Sequence, residues 1–349
     1  MSSRGLGEGK TPLVVLPRIA ARLEVATVSA KLEGCNPTGS FEDRVAAASM
    51  AAAARRGAAG WIATSSGNAA TALAAYGARH GIPGLLFVQP NIPREKLLPA
   101  LACGVTVHRV RGVGTGSTPA AGRGLIVEVL GAAERHDLFV GVTAYAFNPE
   151  GMRGAEPLGG EIAAQHPRAE AVYVPTGGGG LATAIGNGLR AAEHRAAVVV
   201  VQPEGCAPIV RHLDRELKAP VVDGCTSAIS GLQVPAPPDG EAATAVVRGS
   251  GGWGTAVSDE AIWAAQFELA AEEGIFVEPA AAAALAGAQA DRRLGRLGPG
   301  SRICLVLTAT GLKDLTAVER GLASPEPVEL HEVGGLADGW VASIERVRA

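Results

Sequence analysis

Asn36-Pro37-Thr38-Gly39-Ser40-Phe41-Glu42-Asp43-Arg44 joins a turn to the start of a helix. Pro37 and Gly39 end any preceding strand and favour a tight reversal. Ser40 is a suitable N-cap, and Asp43 three residues on gives a near capping box. The helix runs on through the alanine-rich residues 45–54 to Arg55 and Arg56 and stops at Gly57. Basic residues in its last turn and a glycine after it suit the dipole and the C-cap. Glu42 falls in the first turn, where an acid contributes roughly 0.3–1 kcal/mol. That accounts for a glutamate as a helix-start residue and leaves open whether it does chemistry.

Working outward, Thr11–Leu16 and Val25–Leu32 are short strand candidates before the turn, and Lys31 and Glu33 are expected to pair at the strand end. Beyond the helix, strand Gly60–Thr64 leads through Ser65-Ser66-Gly67-Asn68 into a helix over 69–80. A strand, a small polar turn and a helix bring backbone N–H groups and a helix N-terminus to one point, which is an anion site. Pro83–Gln89 and Gly104–Val110 continue the alternation of strand and helix, so a parallel sheet is predicted. A further helix follows over 117–136.

Ala171–Pro175 reads as a buried strand running into Thr176 and then Gly177, Gly178, Gly179 and Gly180 before a helix over 181–193. Four glycines there let backbone amides close on a phosphate at the positive end of the dipole. Gly177, Gly179 and Ala182 also fit the dinucleotide pattern G-x-G-x-x-A, with Glu204 after the next strand as its ribose acid. Ser258 caps a helix to Glu273, Glu278-Pro279 opens an alanine-rich helix, and Arg302–Thr308 is the last strand.

The 349 residues allow two domains, and a core with 47% hydrophobic but only 4% aromatic residues is built from Ala, Val, Leu and Ile. A net charge of −3 gives no general attraction to nucleic acid or membrane surface. No apolar run reaches the roughly 18 residues of a membrane span, and the Gly- and Ser-rich start has no apolar signal segment. The five cysteines are scattered without C-x-x-C spacing. Free thiols in a reducing cytoplasm are expected, with Cys35 beside the turn as a small buried residue. Lysines stand only at 10, 31, 96, 218 and 313.

Five segments in order resemble fold-type II pyridoxal-phosphate (PLP) enzymes of the threonine synthase and serine/threonine dehydratase kind. The first reads N-P-T-G-S-F-K-D-R in that family, and its lysine carries PLP covalently; the matching residue here is Glu42. The others are Ser65-Ser66-Gly67-Asn68, the Gly177–Gly180 run, Gly274–Ala284 around Glu278, and Thr308–Asp314, similar to L-T-G-H-G-L-K-D with Thr310 at the histidine. The resemblance, spanning roughly residues 8–320, implies a two-domain α/β tryptophan-synthase-β-like fold with parallel-type twisted sheets flanked by helices. Residues 1–44 with 151–322 would form the larger domain, 45–150 a smaller mobile one, and 323–349 an extension. It implies that Gly177–Gly180 hold the PLP phosphate, Thr308 the pyridine nitrogen and Asn68 the phenolic oxygen. Ser65, Ser66 and Asn68 would bind the substrate carboxylate.

A carboxylate cannot make the lysine's bond, so PLP would be held non-covalently or be absent, with Glu42 as the catalytic acid/base. The expected function is elimination or replacement on an amino acid or phosphorylated amino acid, by a homodimer with a small amino-acid-like substrate and no metal. The alternatives are a PLP-independent lyase or isomerase using the glycine cup for a substrate anion, a non-catalytic homologue that binds PLP or an amino acid, and an engineered lysine variant of an ordinary PLP enzyme.

Overall fold

The computed structural model describes residues 4–65, 67–90, 92, 94–113, 119–315, 318, 319, 322 and 325–348. In chain order the elements begin β1 (Leu13–Val15), α1 (Pro17–Leu23), β2 (Thr27–Leu32), α2 (Glu42–Arg56), β3 (Gly60–Thr64), α3 (Asn68–His80) and β4 (Gly84–Val88). They continue α4 (Arg94–Ala102), β5 (Thr106–Arg109), α5 (Pro119–His136), β6 (Leu138–Val140), α6 (Pro149–Met152), α7 (Pro157–Gln165), β7 (Ala171–Pro175) and α8 (Gly180–Ala191). The chain ends β8 (Ala197–Pro203), α9 (Pro208–Leu213), α10 (Gly240–Gly249), β9 (Gly254–Val257), α11 (Asp259–Glu273), α12 (Pro279–Arg293), β10 (Arg302–Leu307) and α13 (Val333–Arg348). Residues up to Asp314 make one compact unit and Leu315–Ala349 a second.

The first unit carries two sheets. A six-stranded sheet has the order β1-β2-β10-β7-β8-β9, and a four-stranded sheet the order β5-β4-β3-β6. Every pairing is parallel except the antiparallel edge pair β1–β2. Both faces of each sheet are covered, which is why the strands read as near-continuous apolar runs. Along β8, Val199 and Val201 face one core with α1, α11 and α12, while Val198 and Val200 face another with α7, α8 and α10. The same alternation of side-chain direction splits β3, with Trp61 and Ala63 toward α2 and α3 and Ile62 toward α5. The alanines at 280–284 of α12 are all buried. Their small side chains let that helix lie against the large sheet, and this is how a chain so poor in aromatics closes its core.

A buried ionic knot pins the chain around the turn. The Arg44 guanidinium donates to both oxygens of Glu33, at 2.7 and 2.9 Å, and to Glu161 at 2.7 and 2.8 Å. Lys31 Nζ donates to the Thr11 carbonyl, to Glu161 and to Gln165 at 2.6–2.8 Å. The expected Lys31–Glu33 pair therefore does not form. Glu33 lies past the end of β2, in the 3-10 turn Glu33–Cys35, so it leaves the strand's alternation and meets Arg44 while Lys31 turns to Glu161 and Gln165 of α7. Burial works against the Glu161 carboxylate, yet bonds from Arg44 and Lys31 hold its pKa well below the usual range.

Two further expectations are corrected. Cys206 and Cys225 are bridged, with Cα atoms 4.8 Å apart, inside the distance a disulfide spans; only Cys35, Cys103 and Cys304 are free, and Cys35 is exposed. The helix after the turn starts at Glu42 with Phe41 as its N-cap and no side-chain cap. Ser40 is instead spent on backbone pairing with Ala309. The C-terminal end is as expected: Gly57 takes the left-handed conformation at φ 68°. Among the described residues no helix is long and apolar enough to cross a membrane.

Candidate active site

The turn at 36–41 is stitched to the segment after β10. Phe41 N donates to the Thr308 carbonyl, and Thr310 N to the Gly39 carbonyl, each at 3.0 Å. Gly39 has φ +90°, and a side chain there would meet the Thr310 methyl at 2.8 Å, so only glycine fits. Lys313 Nζ closes the turn by donating to the Thr38 carbonyl at 2.7 Å. The other side of that segment pairs with the chain before α12, through Val277 against Thr310 and Glu278 N donating to the Ala309 carbonyl. Glu42 and Glu278 thus flank one strand end, beside Thr308, which is 5% exposed.

Asn68, the first residue of α3, donates its amide to both oxygens of Glu278 at 3.0 and 3.1 Å. Ser65 accepts from Gly67 N at 3.4 Å; Ser66 lies outside the described residues. Glu42 keeps a little exposure, but its Oε2 is sealed from solvent and makes no hydrogen bond. Burial, and then the nearby Glu278 carboxylate, push the Glu42 carboxyl up to about 8, against smaller opposing pulls from Ser40, its own amide and Lys313. Burial also lifts Asp43 to about 6, held back by bonding from Thr38. At neutral pH Glu42 is therefore mostly a protonated acid able to give up its proton, as a general acid/base requires.

The glycine run closes from the other side. Gly179, at φ +90°, precedes α8 and offers no side-chain cap, so the first amides of α8 have no intrahelical partner. Asp239 shapes the loop behind it, donating its N–H to the Gly178 carbonyl at 3.0 Å while its carboxylate accepts from the amides of Tyr145 and Ala146. Sequence reasoning missed Asp239. Its place before α10 suggests a helix cap, whereas it reaches residues more than ninety positions away. The first turns of α2 and α8 meet through Met152. Its Cε would lie 2.8 Å from a side chain at Gly180, and it packs with Val45 and Phe41.

The site defines a class: an α/β enzyme site with an uncapped glycine run at one helix start, suited to an anion, and a titratable side chain at the start of the facing helix. A family model described as pyridoxal-phosphate dependent enzyme matches residues 5–309. The threonine synthase of Methanosarcina acetivorans is 31% identical over 319 residues, covering 88% of this chain and 76% of its own. That of Mycobacterium tuberculosis is 30% identical over 334 residues, covering 93% and 88%. Among solved structures, O-ureido-L-serine synthase superposes with a TM-score of 0.76 at 24% identity over 98% of this chain and 99% of its own. Threonine deaminase isoform 2 of Solanum lycopersicum gives 0.74 at 22% identity, over 89% and 86%. The chain belongs to the pyridoxal-phosphate-dependent enzyme family, in its threonine synthase-like, fold-type II branch of lyase-type amino-acid enzymes. The dinucleotide alternative falls with that assignment.

The residues present fit PLP as a bound phosphate ester and do not fit it as a covalent adduct. The uncapped amides at Gly179–Gly180 suit its phosphate, whereas Glu42 cannot bond its aldehyde. Lys31 is fully buried in the ionic knot and Lys313 is held by Thr38. Borohydride reduction of protein loaded with PLP is therefore expected to leave no lysine peptide carrying the cofactor; a modified Lys31 or Lys313 peptide in the mass spectrum would refute this.

Gly178 is the place to test the cradle. A Cβ there meets only Pro238, at 3.5 and 3.7 Å, which is ordinary contact. Gly178→Val is expected to fold, shown by an unchanged thermal transition, and to lose affinity for PLP and phosphorylated amino acids by about 10²-fold or more as the cradle fills. Unchanged affinity in the folded variant would show that the phosphate sits elsewhere.

Proposed function

We propose that the protein is a threonine synthase-like lyase or synthase that acts on an amino acid or phosphorylated amino acid by elimination or replacement. Glu42 serves as its proton carrier, and PLP is held without a covalent link. The observation that supports this most is Glu42 itself: a sealed carboxyl facing Glu278 in the family cleft, with a pKa of about 8. Bound PLP would supply a sink for negative charge at the carbon next to the substrate amine.

The chain's own residues then divide the remaining work. Gly177–Gly180 would hold the phosphate and Thr308 would face the ring nitrogen. Ser65, Ser66 and the α3 start would receive the substrate carboxylate, and burial, then Glu278 braced by Asn68, keeps Glu42 protonated until a proton is needed at the reacting carbon or leaving group. A second reading, a PLP-independent lyase using the cradle for a substrate phosphate, is favoured by one observation: Asn68 gives its amide to Glu278 rather than leaving it for a cofactor oxygen. Turnover of O-phospho-amino acids with and without PLP, in wild type and Glu42→Gln, tests both readings.

The two separate sheets support a division into a fixed part (1–44 with 151–322) and a mobile part (45–150), with 323–349 as an extension. A homodimer is proposed alongside, and sedimentation at micromolar concentration tests it. A cytoplasmic setting is proposed too. Fractionation of intact cells tests it.

A further inference from the structure

At position 42 the charge is inverted relative to the family motif: an acid stands where that motif has an amine. Its second acid, Glu278, is held in place by two bonds from Asn68. Beside this pair one carboxyl oxygen has no protein partner: Glu42 Oε2 is sealed and unbonded. The Ser40 hydroxyl, buried in the same turn, acts on Glu42 only weakly, against burial and Glu278. The lysine whose field reaches Glu42, Lys313, is bonded to the Thr38 carbonyl. Two carboxyl groups repel here, one of their oxygens is unbonded, and a primary ammonium supplies both the positive charge and the donors that would satisfy them. An aldehyde supplies neither. The phosphate cradle opens at the start of α8, which meets the start of α2 around Met152.

We propose that this cleft selects phosphate monoesters that carry a primary amine, with the phosphate in the Gly177–Gly180 cradle and the ammonium between Glu42 and Glu278. The inference rests on the cradle reading above and adds the amine. Of the three B6 phosphates, which share ring and phosphate and differ at one substituent, only pyridoxamine 5′-phosphate presents such an amine. A phosphorylated amino acid presents the same two groups, so the selected amine belongs either to the cofactor form or to the substrate.

Calorimetric titration separates these at pH 8, without relying on turnover. The intact protein is titrated with pyridoxamine, pyridoxine and pyridoxal 5′-phosphates, and with O-phospho-L-serine against its amine-free counterpart 3-phosphoglycerate. A charge-assisted bond predicts that the amine-bearing member binds about tenfold tighter or more in at least one set. Glu42→Gln is expected to reduce that preference to less than about threefold. Glu42→Asp, which keeps a carboxyl that can ionise against the ammonium, is expected to retain part of it. Gly178→Val weakens every phosphate ester alike. A preference in the B6 set places the amine on the cofactor form, and one only in the amino-acid set places it on the substrate. Equal binding within both sets, or a preference that survives Glu42→Gln, overturns the inference and leaves the cradle standing. If no phosphate ester binds at all, the cradle reading falls with it.

Discussion

Glu42→Gln is expected to lower turnover by about 10²–10⁴-fold, the usual contribution of a positioned proton carrier. The amide keeps the shape of the side chain and cannot carry the proton. Stability is expected to move the other way. A carboxyl whose pKa rises from 4.5 to about 8 on folding contributes its full stability below pH 4.5 and loses it progressively as pH climbs through 8. Above pH 8 the wild type must ionise Glu42 in its sealed site or keep it protonated against the solvent, and the glutamine variant escapes that cost. Glu42→Gln should therefore be more stable than wild type at pH 8.5, by about 1–3 kcal/mol, and close to it at pH 4.5. Denaturant titrations at the two pH values measure this. A variant with full activity and no pH-dependent gain would return Glu42 to the role of a helix-start residue.

Glu42→Lys is expected to turn the protein yellow on addition of PLP, absorbing near the band of lysine-bound cofactor. Borohydride should then fix the cofactor to the peptide that contains position 42. The substitution places an ammonium beside Glu278, relieving the repulsion that raises Glu42. If the native reaction runs through PLP, dehydratase-like activity can accompany the colour. If the native reaction is PLP-independent, it should be lost, since an amine held at that point cannot replace the acid. A folded variant that stays colourless in PLP would show that the cleft does not present the cofactor to position 42.

Much of this was legible in the chain before any coordinates. The strands at 60–64 and 171–175 and the helix ending at Gly57 are local in origin, fixed by apolar runs, caps and glycines, and they stand where periodicity places them. The glycine run before α8 and the turn before α3 were legible for the same reason. What local rules missed depends on partners far away in sequence. Lys31 pairs with Glu161, 130 residues on, instead of with Glu33 beside it. Asp239 reaches back to residues 145 and 146 instead of capping α10. Ser40 loses its capping role because the backbone on either side of it is claimed by residues 308–310. Most tellingly, Glu42 reads locally as a dipole-friendly surface acid, and only the fold reveals that Glu278 stands beside it and that burial keeps it protonated.

The knot of Arg44, Glu33, Glu161 and Lys31 has an evolutionary consequence. Removing any one of the four leaves an ionic group unpaired in the interior, at a cost of about 3–5 kcal/mol, so each depends on the others. None of the hydrogen bonds that form the knot goes to the side chain at position 42. The backbone under that position is therefore secured independently of what it carries. Lysine and glutamate codons differ by a single base. A lineage could exchange a cofactor tether for a buried acid in one mutational step, keep its fold, and expose the altered chemistry to selection at once.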